Sequence, residues 1–168
     1  MNSKIPVIVV TGGNRGIGFE ICRQLARRGA QVILTARKPE AGKQALAKLE
    51  REGLKAAFHP LEVTDEASVT ALRDDLEKTF GRLDVLINNA GILADSDAAG
   101  LEVNLATVRT TLETNTLAPL HLAQMPPLAS RDGLAGTRQP RFGAAVAKSP
   151  QALLFSLAAN IMTFSVHS

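Results

Sequence analysis

Thr11 to Gly18 read TGGNRGIG, with glycines at Gly12, Gly16 and Gly18 and a basic side chain at Arg15. Glycines at this spacing suit the binding of a phosphate group by backbone rather than by side chains. Gly12 permits a tight turn, Gly16 lets the main chain approach a pyrophosphate with no side chain in the way, and Gly18 allows a helix to pack close to a strand. A helix starting here aims its free N–H groups and the positive end of its dipole at the anion. Such a loop is informative only when it follows a strand and opens a helix.

The flanking sequence supplies that setting. "IPVIVV" is a short β-branched run that reads as a buried strand, and "GIGFEICRQLARRG" has Ile17, Ile21 and Leu25 at helical spacing, closed by Gly29. "QVILTA" is a second strand and "EAGKQALAKLEREG" a second helix ending at Gly53. "AAFHPLEV" is a third strand interrupted near Pro60, and "DEASVTALRDDLEKTFG" a third helix with Asp65 as N-cap and Gly81 as stop. "LDVLINNAG" is a fourth strand, and residues from about Val103 to Gln124 read as helix. Strands alternating with helices at this interval predict right-handed βαβ units and a parallel sheet covered on both faces. The expected fold class is therefore α/β, a Rossmann-type doubly wound sheet in strand order 3-2-1-4, truncated relative to a full one and followed by an atypical tail. Residues 1–124 form the dinucleotide-binding domain of this reading. Residues 125–168, rich in proline, arginine and small side chains, form the tail, part loop and part helix, with Ser149 as N-cap and Pro150 at the first helical position.

Composition narrows the function classes. Apolar residues make up 45% and charged residues 21%, ordinary values for a soluble globular protein. The net charge of +3 belongs to the tail, where Arg131, Arg138, Arg141 and Lys148 face Asp132 alone. Charges this sparse read as a solvated segment, so neither nucleic acid nor a membrane is expected as a partner. The apolar run from Gln151 to Val166 is too short and too interrupted to span a bilayer. His59, His121 and His167 lack ligand spacing, so no metal site is expected. Cys22 is the one cysteine, which excludes an internal disulfide and, with no signal-like N-terminus, points to a cytoplasmic setting.

The spacing TGxxxGIG, followed in order by "VILTAR", "LEVTDEAS" and "LDVLINNAG", resembles the short-chain dehydrogenase/reductase family, and the wording "TGGNRGIGFEICRQLA" is similar to its carbonyl reductases. The resemblance covers roughly residues 5–124. It implies that Gly12, Gly16 and Gly18 form the phosphate loop with Asn14, that Ile17 lies over the cofactor, that Glu62 and Val63 hold adenine, and that Asn89, Ala90 and Gly91 run beside the ribose. The family usually has Asp where Glu62 stands. Asp84 and Asn88 read instead as supports of the sheet. At the end of strand two, where an acid would accept the ribose 2′-OH of NAD, stand Ala36 and Arg37, and no acid follows before Glu40. Arg15 and Arg37 together suit the 2′-phosphate of NADP through paired, charge-assisted bonds. The expected cofactor is NADP(H) in preference to NAD(H).

The activity implied by the resemblance is reduction of a small-molecule carbonyl or oxidation of an alcohol. The family draws its proton from the tyrosine of a Tyr-xxx-Lys motif, orients the carbonyl with a serine on the next strand, and holds a water with an asparagine in the preceding helix. Asn115 matches that asparagine and is the one catalytic position carried over. Pro119, four residues on, cannot donate to the carbonyl of Asn115, so a kink that frees this oxygen is expected. The serine strand is not found after Gln124, and the chain has no tyrosine. Lys148 in "AAVAKSPQALLFSLAAN" is a weak echo of the lysine, with Ala144 at the tyrosine position. Three readings follow: an impaired oxidoreductase, a non-catalytic NADP(H)-binding or interaction protein, or a chain whose tail comes from a shifted or spliced coding frame. Two routes to a homo-oligomer are left open, the apolar edge of strand four, which the tail would otherwise cover, and the Asn115 helix.

Overall fold

The computed structural model describes residues 5–92 and 104–125, and the backbone of 143–144 and 162–165. The order is β1 (Val7–Val10), α1 (Gly16–Arg27), β2 (Gln31–Ala36), α2 (Pro39–Arg51), β3 (Ala56–Pro60), α3 (Glu66–Thr79) and β4 (Val85–Asn88). A long helix follows in two α-helical pieces, α4 (Leu105–Leu112) and α5 (Ala118–Ala123), joined by a π turn at Glu113–Leu117. Two strands from the tail, β5 (Gly143–Ala144) and β6 (Met162–Ser165), complete the sheet.

The four parallel strands lie in the expected order 3-2-1-4. The sheet does not stop at β4, because β6 pairs antiparallel along its whole length, Val85 opposite Ser165 through Asn88 opposite Met162, and β5 pairs with β6. The edge of β4 is thus covered by the tail of the same chain, which satisfies backbone groups that would otherwise invite another strand. Ala144 lies in β5, and the helix expected from Ser149 and Pro150 lies outside the described residues.

Alternation along β1 explains the two-sided core. Val7 and Val9 face a cluster with Ile33, Leu72, Leu76, Leu86 and Leu122, while Ile8 and Val10 face one with Cys22, Val32, Leu34, Ala45 and Leu49. Asp65 caps α3, accepting the Ser68 N–H at 3.1 Å, and Gly81 ends that helix by donating to the Leu76 carbonyl at 3.0 Å. Asp84 fastens the entry of β1: its Oδ2 accepts the Val7 N–H at 2.7 Å and its N–H donates to the Val7 carbonyl at 2.9 Å. Gly42, at the end of the first turn of α2, leaves room for Phe58, since a Cβ there would run into the ring. β3 ends at Pro60, where the proline can no longer donate to a ladder. No helix among the described residues is long and apolar enough to cross a membrane, and none of their His, Cys, Asp and Glu side chains form a group of three able to hold a metal ion.

Cys22 is fully buried between α1 and β2, and burial pushes its thiol up to about 12 from 9.0. The folded state therefore favours the neutral thiol. Its contribution to stability is complete below pH 9 and is lost as pH rises toward 12, because the unfolded chain releases the proton first. Denaturant midpoints should fall more steeply between pH 9 and 11 for the native protein than for Cys22→Ala. Equal slopes would contradict this burial effect.

Candidate functional site

The strand ends converge because the sheet is parallel. β1 runs into the glycine loop, β2 into Arg37, β3 into Glu62 and β4 into Asn89, all at the carboxyl ends, where ligands bind in open α/β sheets. Local hydrogen bonds fix their relative positions. The Thr11 side chain is the hub: its Oγ1 accepts the N–H groups of Asn89 and Ala90, each at 2.9 Å. The Asn89 amide returns the link, Nδ2 donating to the Thr11 carbonyl at 2.9 Å and the Gly12 carbonyl at 3.2 Å. The Gly13 N–H donates to the Thr35 carbonyl at 2.8 Å, tying the loop to β2.

Two loop glycines sit in the left-handed region, Gly12 at φ 64° and Gly16 at φ 56°. Their surroundings differ. A Cβ on Gly12 would meet the Ala90 Cα at 3.0 Å, whereas one on Gly16 would meet nothing within 4 Å. Gly16 therefore borders open space at the start of α1. Gly18 is buried, and a Cβ there would lie 2.3 Å from the Asn89 Nδ2 and 2.4 Å from the Gly12 carbonyl, so this position sets how closely α1 approaches the loop. Arg15 stands at the N-cap of α1 with no side-chain cap, and the first turn has no acid. Its N–H groups and dipole are left for an external anion. A phosphate fits this cradle.

Arg15 and Ile17 are exposed, Ile17 at 59%, and Asn14 is half-buried beside them. Arg37 is exposed at the exit of β2, with its Nε 4.0 Å from Oε2 of Glu62. Val63 turns its side chain into the core under α3, leaving its backbone at the rim. Asn88 is buried; its Nδ2 reaches the Pro119 carbonyl at 3.5 Å, and its Oδ1 meets no donor among the described residues. The Asn89 side chain points into the loop rather than outward.

Asn115 lies in the π turn, where the Ala118 N–H donates to the Glu113 carbonyl five residues back. The distortion expected from Pro119 takes the form of a widened turn: the proline has no N–H to give Asn115, and a π turn relieves its ring. The Asn115 side chain makes a two-point clamp, Nδ2 donating to the Ile92 carbonyl at 2.8 Å and Oδ1 accepting the Ile92 N–H at 2.9 Å. It thereby holds the segment that carries Asn89, Ala90 and Gly91. The hub at Thr11 was not singled out in the sequence, although a threonine that ends a strand and opens a glycine loop is well placed to hold a neighbouring strand end.

Thr11→Val tests the hub. The substitution keeps the shape and leaves two N–H groups without their acceptor, at about 1–3 kcal/mol for each one that stays buried. Chemical denaturation should show a loss of roughly 2 kcal/mol or more, and Thr11→Ser should recover most of it. A valine variant as stable as the native chain would deny the hub its role.

Residues 6–133 match the sequence pattern of the family described as short chain dehydrogenase. Carbonyl reductase [NADPH] 1 of Mus musculus is 52% identical over 93 residues, 55% of this chain and 34% of that protein. (+)-Neomenthol dehydrogenase of Arabidopsis thaliana is 48% identical over 97 residues, 54% of this chain and 33% of that protein. The chain thus spans about a third of the length of the curated relatives it matches. Among solved structures, actinorhodin polyketide ketoreductase with NADPH superposes with a TM-score of 0.66 at 30% identity, over 71% of this chain and 45% of that one. A metagenomic short-chain oxidoreductase in complex with NADP gives 0.63 at 33% identity, over 70% and 52%. The cradle at the strand ends, set within a sheet of this order, belongs to a chain of the short-chain dehydrogenase family, with carbonyl reductases among its relatives.

Proposed function

We propose that this chain binds NADP(H) as the cofactor-holding part of a carbonyl reductase-like oxidoreductase acting on a small-molecule carbonyl or alcohol. The observation that carries the reading is the uncapped start of α1 beside Gly16, flanked by the exposed guanidinium groups of Arg15 and Arg37, with no acid closing β2. The relatives named for NADPH and the neighbours solved with NADPH or NADP support the same cofactor. When bound, that cofactor supplies a hydride to a carbonyl carbon. Asn14, Gly16 and Ile17 would line the pyrophosphate and nicotinamide side, with Gly12 and Gly18 shaping the loop behind them, Glu62 and Val63 would line the adenine, and Asn89, Ala90 and Gly91 the ribose. Asn115 is a positioning residue for that last stretch, through Ile92. A cytoplasmic site of action fits the single, buried, free cysteine.

NADPH should bind at least about ten times tighter than NADH, a difference of about 1.4 kcal/mol or more. Arg37→Asp should reduce or reverse that preference. Equal titration of both cofactors by the native chain, followed by cofactor fluorescence, would remove the basis of the reading.

Turnover is a separate matter. A placed general acid is worth roughly 10² to 10⁴ in rate, and these 168 residues include no tyrosine. The 168-residue chain should therefore bind NADPH yet reduce reactive quinones or activated ketones no faster than about a hundredth of the rate of a family member that has the Tyr-xxx-Lys motif. Slow residual turnover above the uncatalysed rate fits the impaired oxidoreductase, whereas binding with no turnover above that background favours the second reading, a non-catalytic NADP(H)-binding protein. Robust turnover would mean that another group delivers the proton, with Lys148 and Ser149 the first to mutate.

A further inference from the structure

We infer that Glu62 is a positioning residue for Arg37 and so a determinant of cofactor discrimination, an inference that rests on the NADP(H) reading above. The register of the sheet brings the two together. Ala36 pairs with Pro60, and the Leu61 N–H donates to the Ala36 carbonyl at 3.0 Å, so Arg37 and Glu62 leave adjacent strand ends side by side. The two oxygens of Glu62 are divided. Oε1 accepts the Thr64 hydroxyl at 3.1 Å, and Oε2 faces the Nε of Arg37 at 4.0 Å. The Glu62 backbone N–H is fixed separately, donating to the Ser68 Oγ at 3.0 Å.

The carboxylate faces Nε at ion-pair range, too far for a hydrogen bond, and that placement decides what the arginine can still do. A guanidinium has a terminal fork of two nitrogens whose donors match a phosphate in paired fashion. A carboxylate facing Nε leaves that fork free while its attraction biases the rotamers of a long, exposed side chain. Arg37 is 67% exposed, so without such a restraint it would have to be ordered when the 2′-phosphate binds. The same carboxylate also places a negative charge near that phosphate. Positioning and repulsion predict opposite signs, which makes the inference testable. An adenine contact by Glu62 is common to NADPH and NADH, so the ratio of their dissociation constants leaves only the effect passed through Arg37 and the opposing repulsion.

The experiment titrates NADPH and NADH by cofactor fluorescence into the native chain, Glu62→Gln, Thr64→Val, Arg37→Met and the Glu62→Gln/Arg37→Met double variant, each checked for folding by thermal melting. Glu62→Gln should lower the NADPH preference by about two- to fivefold, the range expected for an exposed charge pair. Thr64→Val, which keeps both charges and removes only the brace on Glu62, should shift the ratio the same way and by less. In the Arg37→Met background only the repulsion remains, so Glu62→Gln should leave the ratio unchanged or raise it, and should not lower it. An unchanged or raised preference in Glu62→Gln, or a fall that persists without Arg37, overturns the inference. Failure of the native chain to prefer NADPH would instead overturn the cofactor reading on which it stands.

Discussion

The Thr11 hydroxyl accepting two successive N–H groups from the exit of β4 is the interaction on which the site depends. β1 and β4 are neighbours in the sheet, but the ladder between them ends at Val10 opposite Ile87. The last backbone bond across this pair is the Thr11 N–H to the Ile87 carbonyl at 2.9 Å, and past it the ladder no longer joins the glycine loop to the Asn89–Gly91 stretch. Thr11 and Asn89 continue the attachment with side chains where the backbone ladder gives out, and both ends of the exchange are buried or half-buried. A polar link in such a place is strong because its alternative is an unpaired amide out of reach of water. The steric requirement at Gly18 follows from the same link. The Asn89 amide occupies the space a Cβ would need, so the first helix can approach the loop only with glycine there.

A second constraint comes from burying a sheet on both faces. Every residue of β1 is buried, with alternate side chains serving α3 and α5 on one side and α1 and α2 on the other. Helices are thereby fixed on both faces, and the loops that join them can run only past the strand ends. The carboxyl ends gather the cradle, the two arginines and Glu62 as a consequence of topology. The charged groups there stay exposed because the core has taken the apolar residues that precede them.

What could be read in the sequence is what depends on short spacing. The strand runs, the helical periodicity, the Asp65 cap, the Gly81 stop and the order of the four parallel strands all rest on neighbours a few residues apart, or on the βαβ rule. Less could be read where partners meet through the sheet. Arg37 and Glu62 are 25 positions apart and come within ion-pair range only because Ala36 and Pro60 share a register. β6 is four residues long and pairs through backbone groups, which leave no pattern in side-chain type. The sequence around Pro119 indicated a distorted helix, but not that a π turn would accommodate it, nor that the Asn115 side chain would be committed to Ile92.

That commitment shows how the two sides of the site differ. On the adenine side, the chain holds its groups with local contacts: Ser68 on the Glu62 N–H, Thr64 on its carboxylate, and the capped start of α3 just beyond. On the other side, the stretch after β4 is held from two directions, by Thr11 behind it and by Asn115 ahead of it. The second hold relies on α4 and α5 keeping their place, and that rests on Ala118 and Leu122, which α5 turns into the core. Asn115, Ala118, Pro119 and Leu122 stand at i, i+3, i+4 and i+7, a spacing that shares one helix face, so the side that buries Ala118, Pro119 and Leu122 also carries Asn115 toward Ile92. What the π turn adds is room for Pro119, which has no N–H for the Asn115 carbonyl and whose ring crowds the preceding turn. Packing and positioning stay on one helix because the irregularity is confined to a single turn.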